Sequence, residues 1–396
     1  MKERVILHSD VNNFFASVEC STRDDLKGLP VAVTGNPEKR NGIILAKNEI
    51  AKSYGVKTGQ VIGEAKAICP SLVCLPPHYQ LYEEISQRLH NLYLDYTNFV
   101  EPLGLDECWL DVTGSLKYLQ KTGKQIADEI RERVKSEFGF TVSVGVSFSK
   151  IFAKLGSDIR KPDYTTCIPK SKFKQMVYPL PLNSIVGIGR RLEKKFHAIG
   201  IDTIGDFVKL EDSYLESIMG INGIRLKQDL LGLRQEAVAD YYTLPPPKSI
   251  GNGTTTLKDI IERKDVQKVI YFLAEKVSYR MIKHKVYAST FSITLKTKDL
   301  KTFHISRKFR PTNSIDEIAK NCLLLADKIW KYNYPLRAVR IKGSNLVSSS
   351  VKQLSIFDEV KPDVSTAVKL INDKYGKIEF ASNMANFINK SSHPQE

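Results

Sequence analysis

The sequence has few cysteines, few histidines and no long hydrophobic run. Its six cysteines, at positions 20, 69, 74, 108, 167 and 322, lack Cys-x-x-Cys spacing and are not clustered with any of the seven histidines. This pattern argues against a disulfide framework and favours free thiols in a reducing compartment. No stretch approaches the roughly 20 apolar residues of a membrane-spanning helix, and no N-terminal apolar segment has signal-peptide length. We therefore expect a cytoplasmic protein without membrane contact.

Acidic residues are scarce relative to basic ones. The chain has 59 Lys and Arg against 44 Asp and Glu, a net charge of +15 and a pI near 9.3. Nearly the whole surplus lies in residues 245–350, which contain 21 basic and 8 acidic side chains. A basic excess concentrated in one segment favours a polyanionic partner such as nucleic acid, although a solvated charged face remains an alternative. With 396 residues and 42% hydrophobic content, the chain can bury several cores and is expected to be multi-domain.

Three carboxylates stand in apolar surroundings. Asp10 ends the run Val5–Asp10, and the adjacent pair Asp106-Glu107 follows Gly104 about a hundred residues later. Neighbouring side chains on a strand point to opposite faces, so the pair can reach one site only if the chain bends, which glycine permits. If Asp10 ends a neighbouring strand, mutual repulsion calls for a cation, and an oxygen-only donor set favours Mg²⁺ over Zn²⁺. A surface charge or helix cap is the alternative for an isolated Asp-Glu pair.

Two segments around these acids carry a resemblance to a known family. Residues 8–19 (HSDVNNFFASVE) and 105–111 (LDECWLD) resemble the two catalytic motifs of the Y-family translesion DNA polymerases. Residues 143–162 are similar to the family's segment that ends in a triphosphate-contacting lysine, here Lys161. The resemblance runs in the same order over nearly the whole chain and implies a template-directed DNA polymerase.

The resemblance implies roles for individual residues. Asp10, Asp106 and Glu107 would be the catalytic ligands of two Mg²⁺ ions, with the backbone carbonyl of Val11 adding an oxygen. Two such ions about 4 Å apart activate a primer 3′-hydroxyl without a covalent enzyme intermediate. No local Ser-His-Asp or Cys-His signature suggests a nucleophile instead.

The nucleotide subsite follows from the same resemblance. Phe15 matches the aromatic residue that stacks under the incoming sugar and excludes a ribose 2′-hydroxyl; simple core packing is its alternative. Phe14 beside it is interpreted as a core residue. The predicted nucleotide-binding residues are Phe14, Phe15, Lys52 and Lys161.

The sequence departs from the family pattern at two places. Asn12 stands where many relatives have Asp, which removes a negative charge near the metal ligands. Glu49 and Lys52 stand where many relatives have a Tyr and an Arg that touch the triphosphate. Lys52 keeps a positive charge but lacks the bidentate fork of a guanidinium, so Lys161 is the better phosphate ligand.

The fold class implied by the resemblance is a multi-domain α/β and α+β protein, a right-hand polymerase. Its palm would be residues 1–18 and 79–166, its fingers 19–78 and its thumb 168–240. A Pro-rich linker, 241–247, would lead to a DNA-binding little finger domain, 248–347, and a tail, 348–396. Periodicity agrees with helices over 82–96, 123–138, 265–285 and 315–332 and with strands over 288–298 and 303–310.

Several residues are predicted to contact DNA. Gly187 and Gly189 form the hydrophobic-Gly-x-Gly pattern of a helix-hairpin-helix, in which amides approach a phosphate, although a tight structural turn has the same pattern. Gly220 and Gly223 resemble a second, less regular copy. The predicted contacts are Gly187, Gly189, Lys248, Lys296, Lys298, Arg307 and Arg310.

The tail contains a short hydrophobic peptide after Ser348–Ser350. Residues 353–358 (QLSIFD) resemble the peptide by which bacterial polymerases bind the sliding clamp, with Gln353, Leu354, Ile356 and Phe357 as anchors. A short buried strand is the alternative.

These features together predict a translesion DNA polymerase that uses primer-template DNA and deoxynucleoside triphosphates, acts as a monomer and binds the clamp. Two alternatives remain open at this point. One is another enzyme with a two-metal palm, such as a nucleotide cyclase, and the other is a non-catalytic or weakly active DNA- and clamp-binding repair factor.

Overall fold

The computed structural model describes residues 3–36, 42–331 and 334–348. These residues form two compact units, one built mainly from residues 43–244 with the N-terminal 35 residues and the other mainly from residue 245 onward. Within these ranges no helix combines the length and the apolar character needed to cross a bilayer. The predicted clamp peptide, residues 353–357, lies outside the described residues.

The first unit contains two sheets and a set of helices. Its strands are β1 (Ile6–Val11), β2 (Val31–Thr34), β3 (Ile44–Lys47), β4 (Val73–Leu75), β5 (Val100–Leu103), β6 (Glu107–Asp111), β7 (Val142–Ser147) and β8 (Thr165–Ile168). Its helices are α1 (Phe14–Thr22), α2 (Glu49–Ser53), α3 (Ile62–Ile68), α4 (Tyr79–Leu94), α5 (Leu116–Leu119), α6 (Gly123–Phe138), α7 (Lys150–Ile159), α8 (Phe173–Val177), α9 (Arg190–His197), α10 (Ile204–Phe207), α11 (Asp212–Met219) and α12 (Ile221–Leu230).

The five-stranded sheet has the order β5-β6-β1-β7-β8, so β1 lies at its centre. All pairs are antiparallel except β7 with β8. Helices α4 and α6 bury their apolar stripes in one core with β1, β6 and β7. The capping box of Thr122 and Gln125 begins α6, and Gly139 in the left-handed conformation ends it. The predicted helix over 123–138 therefore has the bounds that the sequence indicated.

Helix α7 lies unusually close to the sheet. A Cβ built on Gly145 of β7 would fall 1.8 Å from the carbonyl oxygen of Ala153 in α7. Only glycine fits there, and the close approach carries Lys154 and Asp158 of the same helix to the edge of the carboxylate site.

Residues 31–35 and 43–75 form a small separate layer. Its sheet has the order β3-β2-β4 and packs with α2 and α3 around a core that includes Ala32, Ile44, Ala51 and Ala65. Helices α8 to α12 share another core with α7 and β8. Gly223 lies inside α12, where a Cβ would come within 2.9 Å of the Leu215 carbonyl oxygen of α11. The Gly220–Gly223 segment thus joins two closely packed helices, and Gly223 serves that packing.

The second unit is a four-stranded antiparallel sheet covered by two helices. It comprises β9 (Ser249–Ile260), α13 (Arg263–Lys283), β10 (Val286–Thr297), β11 (Thr302–Thr312), α14 (Ile315–Ile329) and β12 (Leu336–Ser348), with the sheet order β11-β10-β12-β9. Alternate residues of β10 and β12, such as Ile293 and Ile341, share a buried core with α13 and α14. The alternation predicted for β10 and β11 is present.

Candidate active site

Asp10 and Glu107 face each other across two central strands. The antiparallel register of β1 and β6 pairs Asp10 with Glu107 at the end of the ladder. Asp106 lies in the turn between β5 and β6, where Gly104 has φ +89°, and its carbonyl accepts a 3.0 Å hydrogen bond from the Val11 amide. The bend that Gly104 permits is therefore present, as a tight turn between β5 and β6. The turn brings all three carboxylates to one cleft.

Two lysines neutralise two of these carboxylates. Lys161 Nζ lies 2.7 Å from Asp10 Oδ2 and 2.9 Å from Asp158 Oδ1. Lys154 donates a short hydrogen bond to Glu107 Oε2. No cation forms an ion pair with Asp106 within the described ranges.

The electrostatics of the three acids differ. Burial raises the pKa of Asp10 to about 6, against the opposing effect of Lys161. Burial, and then the charge of Glu107, raises the pKa of Asp106. Burial also acts to raise the pKa of Glu107, but hydrogen bonds from His8 and Lys154 outweigh it and lower that pKa to about 2. The cleft thus holds negative charge that its own lysines only partly compensate.

This donor set fits a hard divalent cation. The candidate ligands are oxygens, and Asp106 keeps an unmatched carboxylate beside Glu107. Across residues 3–36, 42–331 and 334–348, however, no group of three or more His, Cys, Asp or Glu side chains has the spacing of a preformed metal site. Lys161 bonds Asp10 Oδ2 and Lys154 bonds Glu107 Oε2, so these two oxygens would have to exchange partners to hold a cation.

His8 was missed by the sequence reasoning as a neighbour of these acids. Its ring is fully buried, with Nε2 3.4 Å from Glu107 Oε2 and Nδ1 2.9 Å from Ser157 Oγ. Burial lowers its pKa. The alternation of β1 does place His8 on the face of Asp10, which is the signal that would have found it.

Phe15 lines the cleft and is supported by a buried tyrosine behind it. Phe15 is half-buried and stacks on Tyr82 of α4, with ring centroids 4.4 Å apart and planes 15° apart. The Tyr82 hydroxyl donates a 2.5 Å hydrogen bond to Glu19, a carboxylate only 1% exposed. Phe14 is buried in the core between strands and α4, although its edge also reaches the cleft.

The predicted nucleotide ligand Lys52 is tied to a carboxylate. Its Nζ lies 3.2 Å from both oxygens of Glu49, and Glu49 Oε1 also accepts a 2.7 Å hydrogen bond from Asn13. Lys52 does not line the cleft, whereas Lys47 of β3 does. The side chain of Asn12 is engaged by Thr141 and Ser143 at 2.9 and 3.0 Å.

Comparisons with known proteins agree on one family. Residues 9–158 match the model of the impB/mucB/samB family, and residues 247–356 match the model of that family's C-terminal domain. The chain is 41% identical over 362 residues to DNA polymerase IV of Acetivibrio thermocellus, covering 91% of this chain and 90% of that protein. It is 33% identical over 382 residues to DNA polymerase IV 1 of Bacillus subtilis, covering 95% and 91%.

Solved structures agree with the sequence matches. A Y-family DNA polymerase chimera of Dbh and Dpo4 superposes with a TM-score of 0.78 at 25% identity, covering 87% of this chain and 99% of that one. A ternary complex of Dbh gives a TM-score of 0.64 at the same identity and coverage.

The chain belongs to the Y-family DNA polymerases. It is a DNA-directed DNA polymerase of the translesion type, and the right-hand polymerase fold expected from the motifs is confirmed. Y-family DNA polymerases are metal-dependent nucleotidyltransferases. The domain boundaries and the individual site residues stay predictions.

The hairpin of this Y-family polymerase has the local geometry of an anion-binding turn. Gly187 has φ +100°, and Gly189 immediately precedes α9, whose first residues are Arg190 and Arg191. Val186 in the same turn is 61% exposed, so the turn is open to a ligand. Backbone amides at such a helix start can receive a phosphate.

The register of the second unit divides the predicted DNA contacts between two faces. Lys296, Thr294 and Ser292 lie on the face of β10 that the helices do not cover, here called the open face. On β12, Arg340 pairs with Thr294 and Lys342 pairs with Ser292, so both share that face. Arg307 pairs with Phe291 and therefore lies on the helix-covered face. Arg310 is exposed and lies where the register of β10 and β11 shifts, so strand alternation does not fix its face. Lys248 precedes β9, and Lys298 lies in the turn after β10.

Arg340 and Lys342 are open-face residues that the sequence reasoning missed. Both are exposed, and each lies beside a glycine of β9. A Cβ on Gly253 or Gly251 would come within 2.9 Å of the Arg340 or Lys342 side chain, respectively. The glycines leave room for the two cations, a relationship visible only after the strands are paired.

Proposed function

We propose that this polymerase extends a primer 3′ end with deoxynucleoside triphosphates by a two-Mg²⁺ nucleotidyl transfer, opposite damaged as well as intact template. The observation that carries the proposal is the registered pair Asp10 and Glu107, with Asp106 in the adjoining turn, in a cleft also lined by Lys161 and Phe15.

The metal ligands would be the carboxylates of Asp10, Asp106 and Glu107 and the carbonyl of Val11. When bound, two Mg²⁺ ions lower the pKa of a primer hydroxyl and neutralise charge on the α-phosphate and the departing pyrophosphate. The described residues supply these oxygens, and Lys154 and Lys161 line the same cleft.

Lys161 and Phe15 would position the nucleotide. Lys161 bridges Asp10 and Asp158, so its ammonium group is held at the floor of the cleft and can exchange a carboxylate for a phosphate oxygen. The Phe15 ring, supported from behind by Tyr82, would meet the sugar face-on and leave no room for a 2′-hydroxyl. No covalent intermediate is required.

The grip on primer-template DNA would come from two surfaces. Amides at Gly187 and Gly189 would approach a primer phosphate, and the open face of β9 to β12 would follow the duplex backbone. Contacts to phosphates release counterions, so binding should weaken steeply with salt.

Primer extension tests the function directly. Purified protein, primed template, four deoxynucleotides and Mg²⁺ should yield extended primer, also on template with an abasic position. Asp106→Asn should reduce extension by at least about 100-fold while DNA affinity is retained. Glu132→Gln, the same chemical change on the exposed side of α6, is the matched control.

The outcomes separate the alternatives. DNA binding without extension by the wild-type protein would favour the non-catalytic repair factor. Loss of both extension and DNA binding in Asp106→Asn would mean that this acid is structural. Cyclisation of a nucleotide without any template would favour a cyclase, which the family membership argues against.

We further propose that the polymerase acts as a monomer in the cytoplasm and is recruited by the sliding clamp through Gln353, Leu354, Ile356 and Phe357. The six free thiols suit a reducing compartment. Truncation before Gln353 should spare basal extension and remove its stimulation by clamp. Stimulation that survives truncation would place the clamp contact elsewhere.

A further inference from the structure

Three lysines line the cleft within the described part of the chain, namely Lys47, Lys154 and Lys161. Two of them are committed to carboxylates, because Lys154 pairs with Glu107 and Lys161 pairs with Asp10 and Asp158. The charge of each is therefore largely matched before any ligand arrives.

Lys47 has a different environment. It ends β3, and the three consecutive residues Leu45, Ala46 and Lys47 all line the cleft. Its Nζ lies 3.3 Å from the hydroxyl of Thr58, a neutral group, and no carboxylate of the described chain forms an ion pair with it. The side chain is half-buried.

The charge of Lys47 is only weakly supported by its surroundings. Burial lowers its pKa, and the neighbouring charge of Lys52 lowers it further, while Glu49 acts in the opposite direction. A partly desolvated cation beside a hydroxyl gains more from an arriving anion than a cation already paired does.

The same two criteria, lining of the cleft and the absence of a carboxylate partner, argue against Lys52 as the phosphate ligand. Glu49 accepts from Lys52 and from Asn13, the residue that immediately precedes α1 and adopts the left-handed conformation. The pair Glu49–Lys52 thus ties α2 to the start of the helix that carries Phe15. The pair thus helps to position α2 against α1, and the charge of Lys52 is matched by that of Glu49.

We propose that Lys47, and not Lys52, supplies the positive charge that binds the triphosphate from the β2–β3–β4 side of the cleft, with the Thr58 hydroxyl as its second contact. This inference rests on the proposed function, since it assigns one residue to the nucleotide site of that reaction. The ligand chemistry is a polyphosphate anion, and Lys47 would act together with Lys161, which lines the same cleft.

The test compares Lys47→Met with Lys52→Met, and Lys57→Met serves as a matched control because Lys57 is exposed and does not line the cleft. Single-nucleotide incorporation gives kcat and KM, and calorimetry measures nucleotide binding to enzyme on a dideoxy-terminated primer, where no turnover occurs. Lys47→Met should raise both KM and the nucleotide Kd by roughly tenfold or more, since a charge-assisted hydrogen bond is lost. Lys52→Met and Lys57→Met should change both less than about threefold, given the weak contribution of exposed pairs.

A charge-conserving variant and inorganic triphosphate test whether the positive charge of Lys47 contacts the phosphates. Lys47→Arg should recover most of the nucleotide affinity, and inorganic triphosphate should inhibit Lys47→Met less effectively than wild type. An unchanged nucleotide Kd in Lys47→Met, a larger effect of Lys52→Met, or a change in DNA affinity in place of nucleotide affinity would each overturn the proposal. Wild-type protein that extends no primer would instead refute the proposed function.

Discussion

The ammonium group of Lys161 lies 2.7 Å from Oδ2 of Asp10, a carboxylate that is only 6% exposed. Lys161, predicted to bind phosphate, thus forms an ion pair with Asp10, predicted to bind metal. The contact offsets part of the repulsion within the carboxylate cluster, and it predicts that Lys161 exchanges partners when metal and nucleotide enter.

Lys161→Gln should destabilise the metal-free protein by about 1–3 kcal/mol, less than a fully buried pair, because Lys161 remains 29% exposed. Thermal unfolding in EDTA measures this. Loss of the lysine raises the pKa of Asp10 further above about 6, so the penalty should be full at pH 8 and small at pH 5, where the carboxyl is neutral. Mg²⁺ should recover more stability in the variant than in the wild type, and equal recovery in both would speak against a shared site.

Asp106→Asn should raise the stability of the metal-free protein although it abolishes extension. The pKa of Asp106 is raised in the folded state by burial and by Glu107, so the folded protein binds its proton more tightly than the unfolded chain does. Stability therefore falls as pH rises through that interval, and a neutral amide avoids the loss. Unfolding scans in EDTA at pH 8 should show a higher Tm for the variant. A lower Tm would assign the carboxylate a stabilising role.

The carboxylate site was accessible to sequence reasoning because its parts are local. The apolar run before Asp10 predicts a strand, and Gly104 permits the bend that turns Asp106 toward the same site. The pairing of Glu107 with Asp10 depends on the antiparallel register of β1 and β6, whereas the motif resemblance implied only that the three acids share a site. Glu49 was recognised as a departure from the family, and its pairing with Lys52 is local to α2. Only its hydrogen bond from Asn13 requires α2 to lie beside the start of α1.

The residues that sequence reasoning missed are those whose role depends on distant partners. Lys47 has no periodic signal, because it becomes a cleft residue only when β3 pairs with β2. Arg307 was predicted as a DNA contact, but the face on which it lies is fixed only by its pairing with Phe291 across β10 and β11. A basic count over residues 245–350 cannot distinguish the open face of the sheet from the helix-covered one.

Phe15→Ala should weaken the discrimination between deoxyribonucleotides and ribonucleotides by at least about tenfold, equivalent to 1.4 kcal/mol. The ring would no longer stand where a 2′-hydroxyl must be excluded. Parallel incorporation assays with the two nucleotide types measure the ratio of kcat/KM. An unchanged ratio would remove Phe15 from sugar selection.

Tyr82, which stacks on Phe15, offers a second test of sugar selection. Tyr82→Leu removes the ring stacked at 4.4 Å behind Phe15 and should lower sugar discrimination, whereas Tyr82→Phe keeps the ring and should preserve it. The phenylalanine variant loses the hydrogen bond to buried Glu19 and should cost about 1–3 kcal/mol of stability instead. Equal discrimination in the two variants would show that stacking does not position Phe15.

Arg340→Ala and Lys342→Ala should each weaken primer-template binding, because both side chains project from the open face of the four-stranded sheet beside glycines that leave them room. If each contacts one phosphate, the slope of log K against log salt should fall by about 0.9 per variant. Arg307→Ala, on the helix-covered face, should have a smaller effect on the slope, and Lys320→Ala on the exposed side of α14 is the matched control. Titrations at several salt concentrations separate a lost phosphate contact from a folding defect, since a defect lowers affinity without this change in slope. A larger slope change for Arg307 than for Arg340 would place the DNA on the opposite side of the sheet.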